Sequence, residues 1–267
     1  MNTKFTKYII GFIFLTPLLH ISAQNTIDSN RIIKVLTFNI YHGETMNHDF
    51  DLDKIADVII NANPDLVALQ EVDFKTNRTG RIDLTTQLAC KTKLVPVFGK
   101  AMDFDDGEYG NAILSKYSFL KTQKHELPYM DGYEPRVAIE ANIVLPTGDT
   151  ISFFSTHLDY KNENIVRIRQ ANVLNYILLK SKYPVILAGD LNDTPGSDVI
   201  NLFETNLTSC YIKKHPAPTF PSNNPSKKID YIMFYPNSKF RLMERKVINN
   251  NIASDHCAYL VTLELID

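Results

Sequence analysis

The stretch Val185–Ser197, VILAGDLNDTPGS, decides how this chain is read. Four successive apolar residues, Val185 to Ala188, describe a strand covered on both faces, since a half-exposed strand alternates apolar with polar. The run then breaks into Asp190, Leu191 and Asn192. Side chains alternate along a strand, so Asp190 and Asn192 can point one way while Leu191 points into packing. An acid and an amide mounted together suit a metal, a phosphate or a proton. Followed by Asp193, Thr194, Pro195 and Gly196, they equally suit a turn.

The rest of the chain repeats the pattern. RIIKVLTFNI (31–40) runs apolar into Asn39, PDLVALQEVD (64–73) into Gln70 and Glu71, and ISFFSTHLD (151–159) into His157 and Asp159. KIDYIMFY (228–235) and SDHCAYLVTLEL (254–265) reverse the order, with Asp230, Asp255 and His256 at the strand starts. Strands running both ways can therefore bring their polar ends to one edge. Helical spacing lies between them. Ile55, Val58 and Ile59 share one face of a helix that stops before Pro64. Ile165, Ile168, Ala171, Leu174 and Leu178 share one face of a second. No repeat, linker or composition break divides residues 24–267, so the pattern predicts one α/β domain of two packed mixed sheets with helices outside.

Residues 1–23 read as a secretory signal peptide: Lys4 and Lys7, then the apolar YIIGFIFLTPLL, then a small-residue site before Gln24. Cleavage between Ala23 and Gln24 predicts export to the periplasm or the medium. The run is short for a membrane span and carries Pro17, so no transmembrane segment is expected in the mature chain. Losing Lys4 and Lys7 takes the formal charge from −2 to −4, too acidic for non-specific coating of nucleic acid. A local excess stands against that total: eight basic residues lie between Tyr211 and Asn249, against Asp230 and Glu244. They suit either a flank for a phosphate-bearing substrate or a solvated face. Cys90, Cys210 and Cys257 lack the close spacing of a zinc site and read as structural.

The ordered set TFNI (37–40), LQEVD (69–73), YGNAILSK (109–116), THLD (156–159), GDLND (189–193), IDYI (229–232) and SDH (254–256) resembles the endonuclease/exonuclease/phosphatase superfamily. Pancreatic-type DNases, apurinic endonucleases, neutral sphingomyelinases and inositol-polyphosphate 5-phosphatases belong to it. The resemblance implies a four-layered, DNase I-like α/β sandwich and hydrolysis of phosphate esters with Mg²⁺ or Mn²⁺. It places Glu71, Asn39 and Asp255 at the metal, Asp190 and Asn192 at the attacking water, and Asp230 behind the phosphate-facing His256. His157 is implied as an acid for the leaving oxygen or a phosphate clamp, and Asn111 as a support of the phosphate site. A carboxylate bonded to His256 would raise its pKa and favour a cation.

Beside that set, Arg81 and Arg136 are candidates for bidentate phosphate binding, and Arg169 for a structural ion pair. The role of Asp159 does not transfer. The chain has no Trp, and no run combines aromatic and basic residues in the manner of a nucleic-acid groove. The expected activity is a secreted or periplasmic metal-dependent phosphoesterase acting on a small or lipid-derived phosphodiester or phosphomonoester. A secreted nuclease and a catalytically silent phosphate-binding domain are the alternatives.

Overall fold

The computed structural model of the protein describes residues 1, 3 and 29–266, so nearly all of the stretch read as a leader lies outside the described residues. In chain order the strands begin with β1 (Ile32–Asn39), β2 (Leu66–Phe74), β3 (Val95–Phe104) and β4 (Gly107–Ser115). The middle of the chain adds β5 (Phe119–Leu127), β6 (Arg136–Val144), β7 (Thr150–His157) and β8 (Val185–Asp190). The last are β9 (Thr208–Ser209), β10 (Asp230–Tyr235), β11 (Phe240–Ile248) and β12 (Ala258–Leu265). Helices α1 (Leu52–Ala62), α2 (Leu84–Thr92), α3 (Ile165–Leu179) and α4 (Asp198–Glu204) interrupt them.

The strands form two six-stranded mixed sheets, ordered β11-β12-β1-β2-β4-β3 and β5-β6-β7-β8-β10-β9. Each sheet contains one parallel pair, β1 with β2 and β7 with β8. Parallel neighbours need a crossover, which α1 supplies in the first sheet and α3 in the second. Asp51 caps α1 by accepting from the Asp53 amide at 2.9 Å, and Asn63 ends it in the left-handed region at φ 46° before Pro64. The two parallel pairs place polar side chains at their ends. Asn39 and Gln70 end one pair in register, and His157 and Asp190 end the other.

Three apolar clusters account for the layering. Ile33, Val35, Leu66 and Ile113 meet Ile139, Phe153, Ile186 and Ile232 between the sheets. Leu36, Phe38 and Leu69 pack under Ile55, Ile59 and Leu88 of the first helices, and Phe154 and Leu187 under Leu174 and Phe203 of the later ones. The result is the predicted four-layered sandwich. One helix face differs from expectation: Ile165 is 52% exposed, while Val166, Arg167 and Gln170 turn inward beside Ala171, Leu174 and Leu178. Arg167 is drawn in by the carbonyls of Asp159 and Lys161, at 2.7 and 2.9 Å, and by Asp193 at 3.2 Å. This is the ion pair expected of Arg169, which is exposed. All three cysteines are free thiols, with Cys210 and Cys257 buried.

Gly189 shows how tightly the central strands approach. A Cβ there would lie 2.0 Å from the Thr156 carbonyl oxygen on β7. Backbone cannot retreat as a flexible side chain can, so Gly189→Ala is expected to destabilise the domain by about 1–3 kcal/mol or more. In a domain of this size that lowers the Tm by roughly 2–4 °C per kcal/mol, measurable by thermal melting, and an unchanged Tm would contradict the packing described.

Candidate active site

Both parallel pairs present their carboxyl ends at one edge of the sandwich, where a cleft of about 770 Å³ opens. Glu71 reaches it from the first sheet and His157 and Asp190 from the second, while Asn39 and Asp230 are buried outside its lining. Asp255 and His256 arrive on the turn before β12. Asn39 joins the sheets: its Nδ2 donates to Glu71 Oε1 at 3.0 Å and to Asp190 Oδ2 at 3.2 Å. Its Oδ1 accepts the Tyr41 amide at 3.1 Å. The ligand role expected of Asn39 would use that oxygen, while its nitrogen links the acids of the two sheets.

Glu71 owes its position to a bulge. The register of β2 against β4 shifts between Leu69 and Val72, and Glu71 takes a left-handed φ of 56°. Tyr41 and His42 (both φ 45°) and Asn192 (φ 51°) share that region around the cleft. Asn tolerates it, but for the other three it is strain of the kind concentrated at functional sites. Burial alone would raise the Glu71 carboxyl, but His42, His157, Asn39 and His256 overcome it and hold the group at about 2. His42 is the nearest of these imidazoles, its Nδ1 standing 3.8 Å from Glu71 Oε2.

Asp190 is 1% exposed and sits where the groups converge. Its Oδ1 accepts the Asn192 amide at 2.9 Å, and its Oδ2 faces His157 Nε2 at 3.5 Å and His256 Nε2 at 3.7 Å. Asp230, paired directly opposite Asp190, accepts from His256 Nδ1 at 3.0 and 3.2 Å. Burial opposes a charged His256, yet Asp230, Asp190 and Asp255 raise it to about 10. His157 is driven the other way, well below its usual value, by burial and then by the Arg136 charge. Arg136 can only donate, and its Nη1 lies 3.1 Å from His157 Nδ1. Asn192 Nδ2 lies 2.9 Å from His157 Nε2 and donates to the Leu158 carbonyl at 3.0 Å. The two histidines are therefore a cation and a neutral imidazole.

The remaining predicted residues divide. Arg136 is buried, paired with Glu134 at 2.7 Å, and lines the cleft. Arg81 does not: its guanidinium is turned to the Asp106 carbonyl and carboxylate on an exposed loop. Arg78 takes the cleft position instead, held by two bonds to buried Asp73 (2.6 and 2.7 Å) and stacked 4.5 Å over Phe104. Asn111 lies outside the lining and ties the sheets by donating to the Val137 carbonyl at 3.0 Å. Asp159 is buried and turns the following loop by accepting the Lys161 amide at 3.0 Å. Of the basic flank, Lys227 borders the cleft, while Lys213 and Arg241 are spent on Glu204 and Glu264. Tyr41, Phe104, Tyr160 and Phe220 line it among Arg78, Arg136 and Lys161, an aromatic and basic setting that no single stretch of sequence displays.

The donor set suits a divalent cation. Glu71 is held ionised, Asp255 borders the same cleft, and both offer the oxygen ligands that Mg²⁺ and Mn²⁺ take. Ligand atoms of Asp190, Asp230 and His256 also lie within 4.8 Å of one another. In that group, however, His256 Nδ1 is already committed to Asp230, and a cationic imidazole does not bind metal.

Burial and then the Asp230 charge raise Asp190 to about 7. A carboxyl raised on folding costs nothing below its unfolded value, near 3.8, and destabilises fully above its folded value. Asp190→Asn cannot ionise. In EDTA its Tm, relative to the parent, should therefore rise from about pH 4 to about pH 8, a range in which His256 stays charged. An equal difference at both values would contradict the electrostatics described.

The sequence profile of the Endonuclease/Exonuclease/phosphatase family matches residues 36–256. The protein YbhP of Escherichia coli K12 is 29% identical over 215 residues, which cover 74% of this chain and 83% of YbhP. An endonuclease/exonuclease/phosphatase from Beutenbergia cavernae superposes with a TM-score of 0.74 at 21% identity, over 88% of this chain and 72% of that one. The mannosyl-6-phosphatase of Bacteroides thetaiotaomicron does so with a TM-score of 0.66 at 17% identity, over 88% and 100%. Those superpositions show a shared fold, while the profile spans every polar strand end from Asn39 to His256, and the chain belongs to the endonuclease/exonuclease/phosphatase family.

Proposed function

We propose that this protein is an exported, Mg²⁺- or Mn²⁺-dependent phosphoesterase that hydrolyses a phosphodiester or phosphomonoester bond of a small or lipid-derived substrate. The observation that carries the reading is Asp190: a buried carboxylate raised to about 7 and oriented by the Asn192 amide, within 3.7 Å of a cationic and a neutral histidine. A general base works best with a pKa near the operating pH.

In this reading Asp190 takes the proton of the attacking water. His256, kept cationic by Asp230, faces the charge that grows on the phosphoryl oxygens. Neutral His157 keeps the two roles expected of it, an acid for the leaving oxygen or a phosphate clamp. Arg136 and Arg78 position the phosphate from the cleft wall. A divalent cation, held by Glu71 and Asp255, would polarise the phosphoryl group and neutralise its developing charge.

The cleft volume supports a substrate of sugar-phosphate or headgroup size rather than a duplex. The likeness of the fold to a mannosyl-6-phosphatase supports the monoester side of the reading. The aromatic wall favours the nuclease alternative, because such rings can stack on bases. A panel of p-nitrophenyl phosphate, bis-p-nitrophenyl phosphate, mannose 6-phosphate, phosphoinositides and single-stranded DNA separates the readings. Export is supported by the sequence of residues 1–23 and is tested by the N-terminal mass of the exported protein, which should begin at Gln24.

Hydrolysis should stop in EDTA and return with Mg²⁺ or Mn²⁺, and Glu71→Gln should sharply weaken metal binding read by calorimetry. Full turnover in EDTA would defeat the mechanism. Asp190→Asn should lower kcat by about 10²- to 10⁴-fold with the fold intact. Near-normal turnover in that variant would leave GDLND as a turn.

A further inference from the structure

Outside the cleft, a second cavity of about 120 Å³ lies where edge strand β11 passes the lead-in to β10. Tyr211, His215, Lys228, Arg245 and Tyr259 line it, and among the described residues no carboxylate does. Lys228 is 3% exposed, and its Nζ has no hydrogen-bond partner among the described residues. That Nζ sits 3.4 Å from the centroid of the Tyr259 ring and 5.3 Å from that of Tyr231. Ring faces attract a cation but do not replace the acceptors that three N–H donors need. The nearby acid, Asp230, has both oxygens turned to His256. Burying such a group unpaired is costly, and burial lowers the Lys228 pKa to about 7.

Arg245 adds a second uncommitted charge. It is exposed and has no ion-pair partner among the described residues. Its positive field still opposes the burial-driven rise of Tyr259 and Cys210, which places it over the same cavity. A cavity walled by cations and tyrosines, without an acid, selects an anion. Its volume is roughly four times the ~30 Å³ share of one water molecule, enough for a tetrahedral oxyanion and too little for a sugar or nucleotide.

We propose that this cavity binds a small tetrahedral oxyanion, either free phosphate or a phosphomonoester headgroup, with Lys228 at its base and Arg245 and His215 at its mouth. The proposal stands apart from the phosphoesterase reading, because none of these residues belongs to the cleft.

The test is a ¹H–¹⁵N NMR titration of the intact protein in EDTA. One arm uses inorganic phosphate, and the other uses phosphatidylcholine vesicles with and without phosphatidic acid. Saturable shifts of the Tyr211 and Val247 amides are expected with at least one anionic probe. Phosphate identifies the free anion, and phosphatidate alone identifies a headgroup. Arg245→Ala should weaken that response about tenfold or more, as should Lys228→Met. Phosphate-induced shifts at Asn192 and Thr194 report the cleft independently and should survive both changes. Arg245 is exposed, so its variant keeps the test open if Lys228→Met fails to fold. The proposal is overturned if no probe gives saturable shifts at Tyr211 and Val247, or if those shifts are indifferent to Arg245→Ala.

Discussion

Two buried carboxylates, Asp190 and Asp230, stand directly opposite one another on antiparallel strands, and the rest of the site follows from how that repulsion is relieved. Like charges facing each other across a ladder are destabilising, more so without water. The His256 cation between them supplies the compensation, at 3.0 Å from one acid and 3.7 Å from the other. The imidazole must then be held firmly. Ser254 accepts the His256 amide and donates to the Asn39 carbonyl, and the Phe220 ring packs 4.8 Å from the imidazole. Thr219, one residue before, accepts the Ile229 and Asp230 amides. Loop, turn and three strands are thus organised around one enclosed positive charge.

The same logic separates two residues of one type. His256 has acids on its flanks and remains protonated, while His157 has a guanidinium beside it and remains neutral. Environment, not residue identity, keeps one charged and the other neutral.

What could be read from the sequence was what local pattern encodes. The apolar runs ending in Asn39, Glu71, His157 and Asp190 announced buried strands with functional ends, because double burial removes polar alternation. Features made by distant segments were hidden. The bulge that aims Glu71 leaves no mark in LQEVD. Arg78 and Arg81 are equivalent as text, and only the fold shows that Asp73 faces the first. The cleft's aromatic lining comes from Tyr41, Phe104, Tyr160 and Phe220, each solitary in its own stretch. Lys228, inside a run that resembles a solvated face, is among the buried charges.

Asn39 bridges Glu71 on one sheet and Asp190 on the other, so the acids of the site are carried by two plates rather than one. Their separation is set by the thickness of the side-chain layer of Ile33, Ile113, Ile139, Phe153 and Ile186. That layer is a spacer as well as a source of stability. Its volume gauges the gap across which the acids of the site face one another, so a change of side-chain volume in this layer, remote from any polar group, alters the spacing of the site as well as the stability of the fold.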